Sequence, residues 1–307
     1  MHGGRALGID LGGTKIEALL LAAEGQPLWG RRIDTPSGDY AGTLRAIAAL
    51  VEQARQAGGG PCRVGLGTPG SQTPEGVMKN ANSLCLNGRP LQADLQQLIG
   101  RPVRLANDAN CLALSEATDG AGAGAEVVFA VILGTGTGAG IAVRGRVLHG
   151  PNGLAGEWGH NPLPWAVAGE DPLFDCYCGQ RGCNETLLSG PGLAREHRHF
   201  GNAQMSAVQI AEAAAHGDAA CQATLQRHAS RLARALAAVI NLLDPDVIVL
   251  AGGVSRIASI YEQVPAQWSR WIFSGGHRDA VRTRLVPSLH GDASGVRGAA
   301  WLWREPG

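Results

Sequence analysis

The sequence predicts an α/β protein of two domains with a duplicated architecture, and three observations lead to this fold class. The chain has 307 residues, and at roughly 150 residues per domain this length suggests two domains. Stretches with strand-like patterns occur between stretches whose apolar residues recur at helical spacing. A strand, a glycine turn and a returning strand occur in LGIDLGGTKIEALLL and again in VVFAVILGTGTGAGIAVRGRVL, which indicates an internal repeat.

The first half of the chain begins with three hairpin-linked strands in RALGIDLGGTKIEALLLAAEGQPLWGRRID, with turns at the glycine pair and at Glu24–Gly25. YAGTLRAIAALVEQARQAG has apolar residues at helical spacing and ends at Gly58–Gly60, a helix stop signal. RVGLGTPG and RPVRLAND are short buried strands that end in turn residues. A helix then begins near Asn107 and Asp108 in NDANCLALSEATDGAG.

The second half repeats the theme and adds helices. After its strand, glycine turn and strand comes a cluster of cysteines, and then long Ala/Leu-rich helices in VQIAEAAAHGDAACQATLQRHASRLARALAAVINLLD. PDVIVLAGGVS is a buried strand that runs into a glycine pair, and SGVRGAAWLW is a closing helix.

Composition and charge exclude several function classes. The 26 Lys and Arg residues balance the 26 Asp and Glu residues, so nothing attracts the whole surface to nucleic acid or to an anionic membrane. The N-terminus lacks the pattern of a signal peptide, and no stretch has 18 consecutive apolar residues. Seven cysteines, an odd number, argue against a disulfide framework. We therefore expect a cytoplasmic protein whose partner is a small molecule.

The first glycine turn, GIDLGGTK, has the composition of a phosphate-binding loop. It is not a Walker A motif, because Thr14 stands where that motif requires lysine. A strand delivers Asp10 to a sharp turn, at which Gly12 and Gly13 let the backbone approach a phosphate while Thr14 and Lys15 donate to it. The alternative for this turn alone is a tight β-hairpin.

The second glycine turn, LGTGTGAG, alternates glycine and threonine through Gly134, Thr135, Gly136, Thr137 and Gly138. This alternation exposes backbone N–H and hydroxyl groups without bulky side chains. Two such turns facing each other would clamp the phosphates of a nucleotide. A third glycine turn in LAGGVS favours this interpretation over a pair of ordinary hairpins.

A further glycine pattern, GLGTPG at Gly65–Gly70, matches the G-x-G-x-x-G pattern of dinucleotide sites and follows a predicted strand. The chain has 45 glycines, and so short a pattern often occurs by chance in a glycine-rich sequence without a dinucleotide site. Pro69 and the following GSQTPEG indicate an extended loop, whereas a pyrophosphate needs a helix N-terminus at this point. We expect a loop at a strand end and no bound NAD.

The segment RLANDANCLALSE places Asp108 at a junction between a strand and a helix. A carboxylate at such a junction can cap the helix. It can equally serve as a general base that takes the proton of a sugar hydroxyl as the hydroxyl attacks a γ-phosphate. The pattern leaves both interpretations open.

The segment CYCGQRGC brings three cysteines close together, and the histidine of GEWGH precedes them. Three thiolates and one imidazole form the closed tetrahedral ligand set that is typical of structural zinc. The predicted ligands are His160, Cys176, Cys178 and Cys183. The alternative is a cluster of reduced thiols, which crowding would make prone to oxidation.

Together these motifs resemble those of the ROK family of bacterial sugar kinases and sugar-responsive repressors. GIDLGGTK resembles the first phosphate motif of the family, NDAN its catalytic motif, and LGTGTGAGIAVRGRVLHGPNGLAGEWGH its signature. CYCGQRGC with the following glutamate resembles its zinc motif. The likeness covers the whole chain. KNANSLCLNG, GEWGHNPLPW and GDASGVRGAAWLW are most similar to the fructokinases of the family.

The resemblance implies an actin/hexokinase-like fold, in which a ribonuclease H-like architecture is duplicated in two α/β domains around a cleft. We expect a small domain of residues 1–118, joined by the C-terminal helix at about 294–307, and a large domain of residues 119–293 with the zinc-binding loop. The resemblance also implies a homodimer, ATP with Mg²⁺, and a structural Zn²⁺.

The resemblance implies roles for individual residues. Asp108 would be the base, and the residues holding sugar hydroxyls would be Asn107, Asp108, Glu157, His160 and Glu185. The residues holding phosphates would be Thr14, Lys15 and Gly134–Gly138, and Gly12 and Gly13 would let the backbone approach a phosphate. Gly252 and Gly253 would lie near the adenosine, and Asp10 would organise Mg²⁺ and its waters. Zinc on one ring nitrogen of His160 would leave the other nitrogen aimed at the sugar.

The activity expected from this resemblance is ATP-dependent phosphorylation of the 6-hydroxyl of a hexose, with fructose first and mannose or glucose as weaker candidates. An N-acetylglucosamine or N-acetylmannosamine kinase, or a glucokinase, is the alternative with the same chemistry. A sugar-sensing, repressor-like protein without a DNA-binding domain is the alternative of another class. Family repressors carry a helix-turn-helix before the first strand, and here that strand begins within RALGID.

Overall fold

The computed structural model describes residues 4–275, 277 and 280–304. Its contacts divide the chain into two compact units. The first unit comprises Met1–Gly124, Gly140–Ala155 and Asp292–Gly307, and the second comprises Ala125–Ala139 and Gly156–Gly291. The domain boundaries expected from the sequence stay a prediction. Residues 305–307, the end of the predicted C-terminal helix, lie outside the described residues.

The strands of the described residues are named in chain order. They are β1 Ala6–Leu11, β2 Lys15–Leu21, β3 Pro27–Asp34, β4 Arg63–Thr68, β5 Ser71–Gln72, β6 Met78–Lys79, β7 Val103–Asn107, β8 Val127–Leu133, β9 Thr137–Val143, β10 Arg146–Val147, β11 Val247–Ala251 and β12 Arg284–Pro287.

The helices are α1 Tyr40–Ala57, α2 Leu91–Ile99, α3 Asp108–Thr118, α4 Glu185–Leu188, α5 Gly190–His199, α6 Ala207–Ala215, α7 Ala219–Leu243, α8 Ile260–Gln263, α9 Pro265–Trp268 and α10 Ser294–Trp301. Short 3₁₀ turns cover Leu84–Leu86, Glu157–His160, Val254–Arg256 and Gly291–Ala293. Among these described helices, none combines the length and the apolar character that a bilayer crossing requires.

The first sheet has the strand order β3-β2-β1-β4-β7. The neighbours β1, β2 and β3 pair antiparallel, whereas β4 and β7 join parallel to β1. The sequence prediction of three hairpin-linked strands is therefore confirmed. The helix predicted after them is α1, which the Asp39 side chain caps through Gly42 N at 2.8 Å and which ends at Gly58.

The helix α10 packs against the first sheet at glycines. A Cβ atom on Gly8 in β1 would lie 1.8 Å from the Val296 carbonyl oxygen, and one on Gly65 in β4 would lie 1.8 Å from the Ala299 carbonyl oxygen. Only glycine allows so close an approach of two backbones. The C-terminal helix is thereby seated on the sheet that carries the first glycine turn.

The second sheet repeats the first, with the order β10-β9-β8-β11-β12. In each sheet the first strand in chain order, β1 or β8, has the next two strands of the chain on one side. On its other side lie two later strands that pair parallel, β4 and β7 in the first sheet and β11 and β12 in the second. The duplication predicted from the two glycine turns is confirmed by this shared order. The strands β8 and β11 are buried along most of their length, as expected for parallel strands in the middle of a sheet.

A buried charge cluster ties α7 to the segment that precedes the cysteines. The Asp171 carboxylate accepts from Arg231 Nε at 2.7 Å and from Arg234 Nη1 at 2.7 Å. Arg231 Nη1 also lies 2.9 Å from Glu196 Oε1 on α5. Arg234 Nη1 donates to the Trp165 carbonyl at 2.8 Å. These contacts hold the 165–171 loop on α7.

Candidate active site and candidate metal centre

In the first unit, Asn107 and Asp108 lie where β7 ends and α3 begins. Asn107 is the N-cap of α3, and its Oδ1 accepts from Ala109 N at 2.9 Å. Its Nδ2 donates to the Gly70 carbonyl at 3.1 Å. The capping position therefore belongs to Asn107, while Asp108 is the first helical residue and accepts from Ala109 N at 2.8 Å. Asp108 is half-buried.

Asp10 lies at the end of β1, close to the Asp108 carboxylate. Burial, with the neighbouring carboxylates of Asp108 and Glu17, raises the pKa of Asp10 to about 7, although Arg32 opposes this. A Cβ atom on Gly295, at the start of α10, would lie 3.2 Å from Asp10 Oδ2. Two carboxylates in a partly buried setting repel each other until a cation or a proton neutralises them.

The first glycine turn joins β1 to β2. Gly12 N donates to the Lys15 carbonyl at 2.9 Å, which closes the turn, and Thr35 Oγ1 donates to the Gly12 carbonyl at 2.8 Å. Gly13, Thr14 and Lys15 are exposed. The hairpin interpretation and the phosphate-loop interpretation are thus compatible, since a closed hairpin presents its tip to solvent.

In the second unit, the turn Gly134–Gly138 is surrounded by other predicted site residues. Gly134 N donates to the Gly136 carbonyl at 3.0 Å, and Gly190 N donates to the Gly134 carbonyl at 2.8 Å. Thr137 N donates to Glu185 Oε2 at 3.0 Å. The structure therefore brings Glu185, at the start of α4, directly against the second glycine turn.

Two further glycines let neighbouring segments approach this turn. A Cβ atom on Gly159 would lie 1.8 Å from the Thr137 carbonyl oxygen. Gly252 follows β11 with a φ of +88°, and a Cβ atom on it would lie 2.5 Å from the Leu133 carbonyl oxygen. Gly253 faces open space with respect to the described residues. The segments that meet the turn or its immediate neighbours thus carry several predicted site residues: Glu157, His160, Glu185 and the Gly252–Gly253 pair.

The four predicted metal ligands come together. The ligand atoms of His160, Cys176, Cys178 and Cys183 all lie within 4.8 Å of one another. His160 Nδ1 is 3.6 Å from Cys176 Sγ, and the Sγ atoms of Cys178 and Cys183 are 3.6 Å apart. In a tetrahedral zinc site, bond lengths of about 2.3 Å to sulfur and 2.0 Å to nitrogen place neighbouring ligand atoms about 3.5–3.8 Å apart. The donor set and its spacing fit such an ion.

The thiols differ in their surroundings. Cys176 and Cys183 are buried, whereas Cys178 is exposed. Burial, together with the neighbouring thiols, raises the pKa of Cys183 to about 12. Because zinc binds thiolates, a bound ion would reverse this shift and release protons.

The second ring nitrogen of His160 has a partner that the sequence did not predict. Nε2 lies 3.0 Å from the Tyr177 hydroxyl, and the two rings make an edge contact. The resemblance implied that this nitrogen faces a sugar hydroxyl. In the structure a phenol hydroxyl meets it, from a tyrosine between two of the cysteines. The spacing of ligands alone carries no signal for such a contact.

The dinucleotide alternative requires a helix directly after GLGTPG. After β4 ends at Thr68, the chain forms the small β5–β6 hairpin, in which Ser71 pairs with Lys79. No helix begins at Gly70 among the described residues of this segment. The predicted extended conformation is confirmed, but two short paired strands stand where a loop was expected.

The fold and the duplicated sheets, each with a glycine turn after its first strand, define an actin/hexokinase-like protein. The ROK family profile matches residues 6–306. The chain is 38% identical over 300 residues to the N-acetyl-D-glucosamine kinase of Salmonella typhimurium, covering 96% of this chain and 98% of that one. The chain therefore belongs to the ROK family.

Two solved structures support this membership. The ROK hexokinase from Thermus thermophilus is 30% identical, with a TM-score of 0.83 and coverage of 96% of both chains. The ROK family glucokinase from Streptomyces griseus, solved in complex with glucose and AMPPNP, is 30% identical, with a TM-score of 0.77, and 97% of this chain and 99% of that one are covered. These likenesses confirm the predicted fold class.

Proposed function

We propose that this protein is an ATP-dependent sugar kinase that phosphorylates the 6-hydroxyl of N-acetylglucosamine. The observation that carries the proposal is the 38% identity to an N-acetyl-D-glucosamine kinase over nearly the full length of both chains. The kinase class has further support in a structural neighbour that holds glucose and an ATP analogue. The expected fructose preference rested on three short strings, and the full-length comparison favours the N-acetylhexosamine alternative.

The proposed chemistry in the first unit is proton transfer and phosphate neutralisation. Asp108 would accept the proton of the attacking sugar hydroxyl, a role worth about 10²–10⁴ in rate. Asp10 would organise Mg²⁺. Because the pKa of Asp10 is raised to about 7, its carboxyl holds a proton near neutral pH, and the cation would replace that proton. The exposed tip of the first turn, with Thr14 and Lys15, would donate to phosphate oxygens.

The proposed role of the second unit is to hold nucleotide and sugar. The turn Gly134–Gly138 would supply backbone N–H groups to phosphates, and the Gly252–Gly253 pair would lie near the adenosine. Glu157, His160 and Glu185 would accept from or donate to sugar hydroxyls, as Asn107 and Asp108 would in the first unit. The contact between Thr137 N and Glu185 Oε2 supports a shared site, because it joins the phosphate turn to a proposed sugar ligand.

Zinc in this proposal is structural. His160 Nδ1 and three thiolates would fill all four positions of a tetrahedral ion, which leaves none for a substrate. The ion would fix the orientation of the His160 ring and anchor the segment that leads from Cys183 to Glu185. When bound it supplies rigidity rather than Lewis-acid chemistry.

A coupled ADP-release assay tests the proposal. N-acetylglucosamine, N-acetylmannosamine, glucose, mannose and fructose are each offered with ATP and Mg²⁺. We expect the highest kcat/KM with N-acetylglucosamine, and an Asp108→Asn variant that keeps its fold should lose about 10²–10⁴ in kcat. A dominant fructose activity would overturn the substrate assignment, and an active Asp108→Asn variant would overturn the base assignment. Sugar binding without any turnover would favour the sensor alternative.

A further inference from the structure

Asn184 lies between a predicted metal ligand, Cys183, and a proposed sugar ligand, Glu185, and its side chain contacts a third part of the site. We propose that Asn184 is a positioning residue that holds the Glu157–His160 turn in register with the Cys183–Glu185 segment. This inference rests on the proposed function for its effect on sugar binding. Its structural basis lies entirely within the second unit.

Two hydrogen bonds join Asn184 to the turn, one on each side of His160. The backbone N of Asn184 donates to the Asn161 carbonyl at 2.8 Å. Its Nδ2 donates to the Trp158 carbonyl at 3.0 Å. Because the Trp158 partner is a carbonyl oxygen, which can only accept, the nitrogen of the amide must face it. One residue therefore fixes the turn at both of its ends.

Other contacts also anchor the turn. Trp158 Nε1 donates to the Ala235 carbonyl on α7 at 3.2 Å, which ties the turn to the helix behind it. Cys183 Sγ donates to the His160 carbonyl at 3.4 Å. That contact would be lost if the thiol were deprotonated to bind a metal, because a thiolate has no proton to donate. The Asn184 amide is independent of that change.

The energetics of Asn184 also point to a specific use of its amide. The residue is 1% exposed. Its Oδ1 is buried and has no hydrogen-bond partner among the described residues. An unsatisfied buried acceptor destabilises a fold, whereas an apolar side chain of similar size would carry no such penalty. The unpaired Oδ1 is a cost of the amide, and the Nδ2 bond to the Trp158 carbonyl is the contact that uses the amide.

The consequence for the reaction is geometric. Glu185 is fixed on one side by Thr137 N, and Asn184 sets where Glu157 and His160 lie with respect to it. A shift of about 1 Å in such residues can cost up to about 10²-fold in a reaction. Loss of the Asn184 contact should therefore weaken sugar binding in particular, since the glycine turn that would bind phosphates keeps its own hydrogen bonds.

The test uses two substitutions at Asn184 and one matched control. Asn184→Leu removes both the Nδ2 donor and the unpaired Oδ1, and the Trp158 carbonyl keeps Asn161 N as a donor at 3.2 Å, so the variant should retain its fold. Asn184→Asp keeps the shape but cannot donate to the Trp158 carbonyl. The control is Thr186→Val, which removes an equally buried hydrogen bond in the same segment, from Thr186 Oγ1 to the Cys183 carbonyl at 2.7 Å, without touching the turn.

The readouts are the thermal midpoint, the KM for sugar and for ATP, and the rate at which a chromogenic chelator removes zinc. We expect both Asn184 variants to raise the sugar KM by about tenfold or more, with the ATP KM within about twofold of the native value. The Thr186→Val control should keep both constants. We also expect zinc to leave the Asn184 variants faster than the control, because the turn carries His160.

The outcomes separate this inference from the proposed function. If the native chain turns over sugar but the Asn184 variants keep its sugar KM, or if the control loses as much, the positioning role is wrong while the kinase stands. If the native chain turns over no sugar, the proposed function fails, and zinc release decides the inference alone. Faster release from both Asn184 variants than from Thr186→Val then supports it, and equal release overturns it.

Discussion

Replacing Asp171 by asparagine should lower the free energy of unfolding of the second unit by about 3–5 kcal/mol. Asp171 is 9% exposed and accepts from two arginines of α7, which are themselves 2% and 4% exposed. Arg231 would keep Glu196 as a partner, but Arg234 would be left with carbonyl oxygens and the Trp271 ring, none of which carries a charge. The cost arises because the buried Arg234 guanidinium would lose its carboxylate partner and keep its charge.

The measurement is equilibrium unfolding in urea, followed by tryptophan fluorescence. Glu52→Gln is the matched control, because the Glu52 carboxylate also lies 2.7 Å from an arginine nitrogen, that of Arg55, but on the surface. The control should not shift the midpoint measurably, since exposed ion pairs contribute little. Adding Arg234→Met to the Asp171→Asn variant should recover part of the loss, because it removes the uncompensated charge.

The result that would refute this reasoning is a midpoint for Asp171→Asn that matches the Glu52→Gln control. Burial would then not govern the value of these ion pairs. A second readout follows the loop itself. If the 165–171 loop leaves α7 in the Asp171→Asn variant, limited proteolysis should cut that segment before the rest of the unit unfolds.

Three further outcomes are expected. Gly8→Ala should destabilise the first unit by about 1–3 kcal/mol or more, because its Cβ would lie 1.8 Å from the Val296 carbonyl oxygen. The control Gly30→Ala, whose Cβ would lie 3.7 Å from its nearest neighbour, should not destabilise it. Equal unfolding midpoints for the two variants would contradict this. Burial lowers the pKa of His228 to about 4 in the folded chain. Between about pH 6.5 and 4 the unfolded chain therefore binds a proton at this residue and the folded chain does not. The free energy of unfolding should fall by about 3 kcal/mol as the pH is lowered across that range. In urea titrations a His228→Gln variant should lack that part of the loss of stability in acid. An unchanged loss of stability in the variant would contradict the prediction. Removing metal with a strong chelator should lower the thermal midpoint and raise the sugar KM, with recovery on adding Zn²⁺ but not Mg²⁺; a metal-free chain with native properties would contradict the zinc assignment.

Much of the fold could be predicted because its signals are local. The alternation in LGIDLGGTKIEALLL and the glycines at its centre define a hairpin without reference to the rest of the chain. The repeat of that pattern indicated the duplication, and the close spacing of three cysteines with one histidine upstream was enough to predict the cluster at 160–183. The helix at Asp108 was predicted as well, but only the structure assigned its cap to Asn107.

The unpredicted features depend on contacts between distant segments. The Tyr177 hydroxyl on His160 Nε2, the Asn184 amide on the Trp158 carbonyl and the Asp171 contacts on α7 join residues 17, 26, 60 and 63 positions apart. No local pattern marks these pairs, because each partner is an ordinary residue type in its own segment. The preference for fructose had a different weakness: short strings of similar residues weigh less than a full-length comparison.

The most direct test of the central claim is to identify the product. Native protein is incubated with N-acetylglucosamine, ATP and Mg²⁺, and the sugar is analysed by ³¹P and ¹H nuclear magnetic resonance. We expect one new phosphate monoester on the 6-hydroxyl, formed in equal amount to ADP. A phosphate at the anomeric oxygen would contradict the assignment of the 6-hydroxyl, and ADP formed without any phosphorylated sugar would contradict the proposed kinase activity.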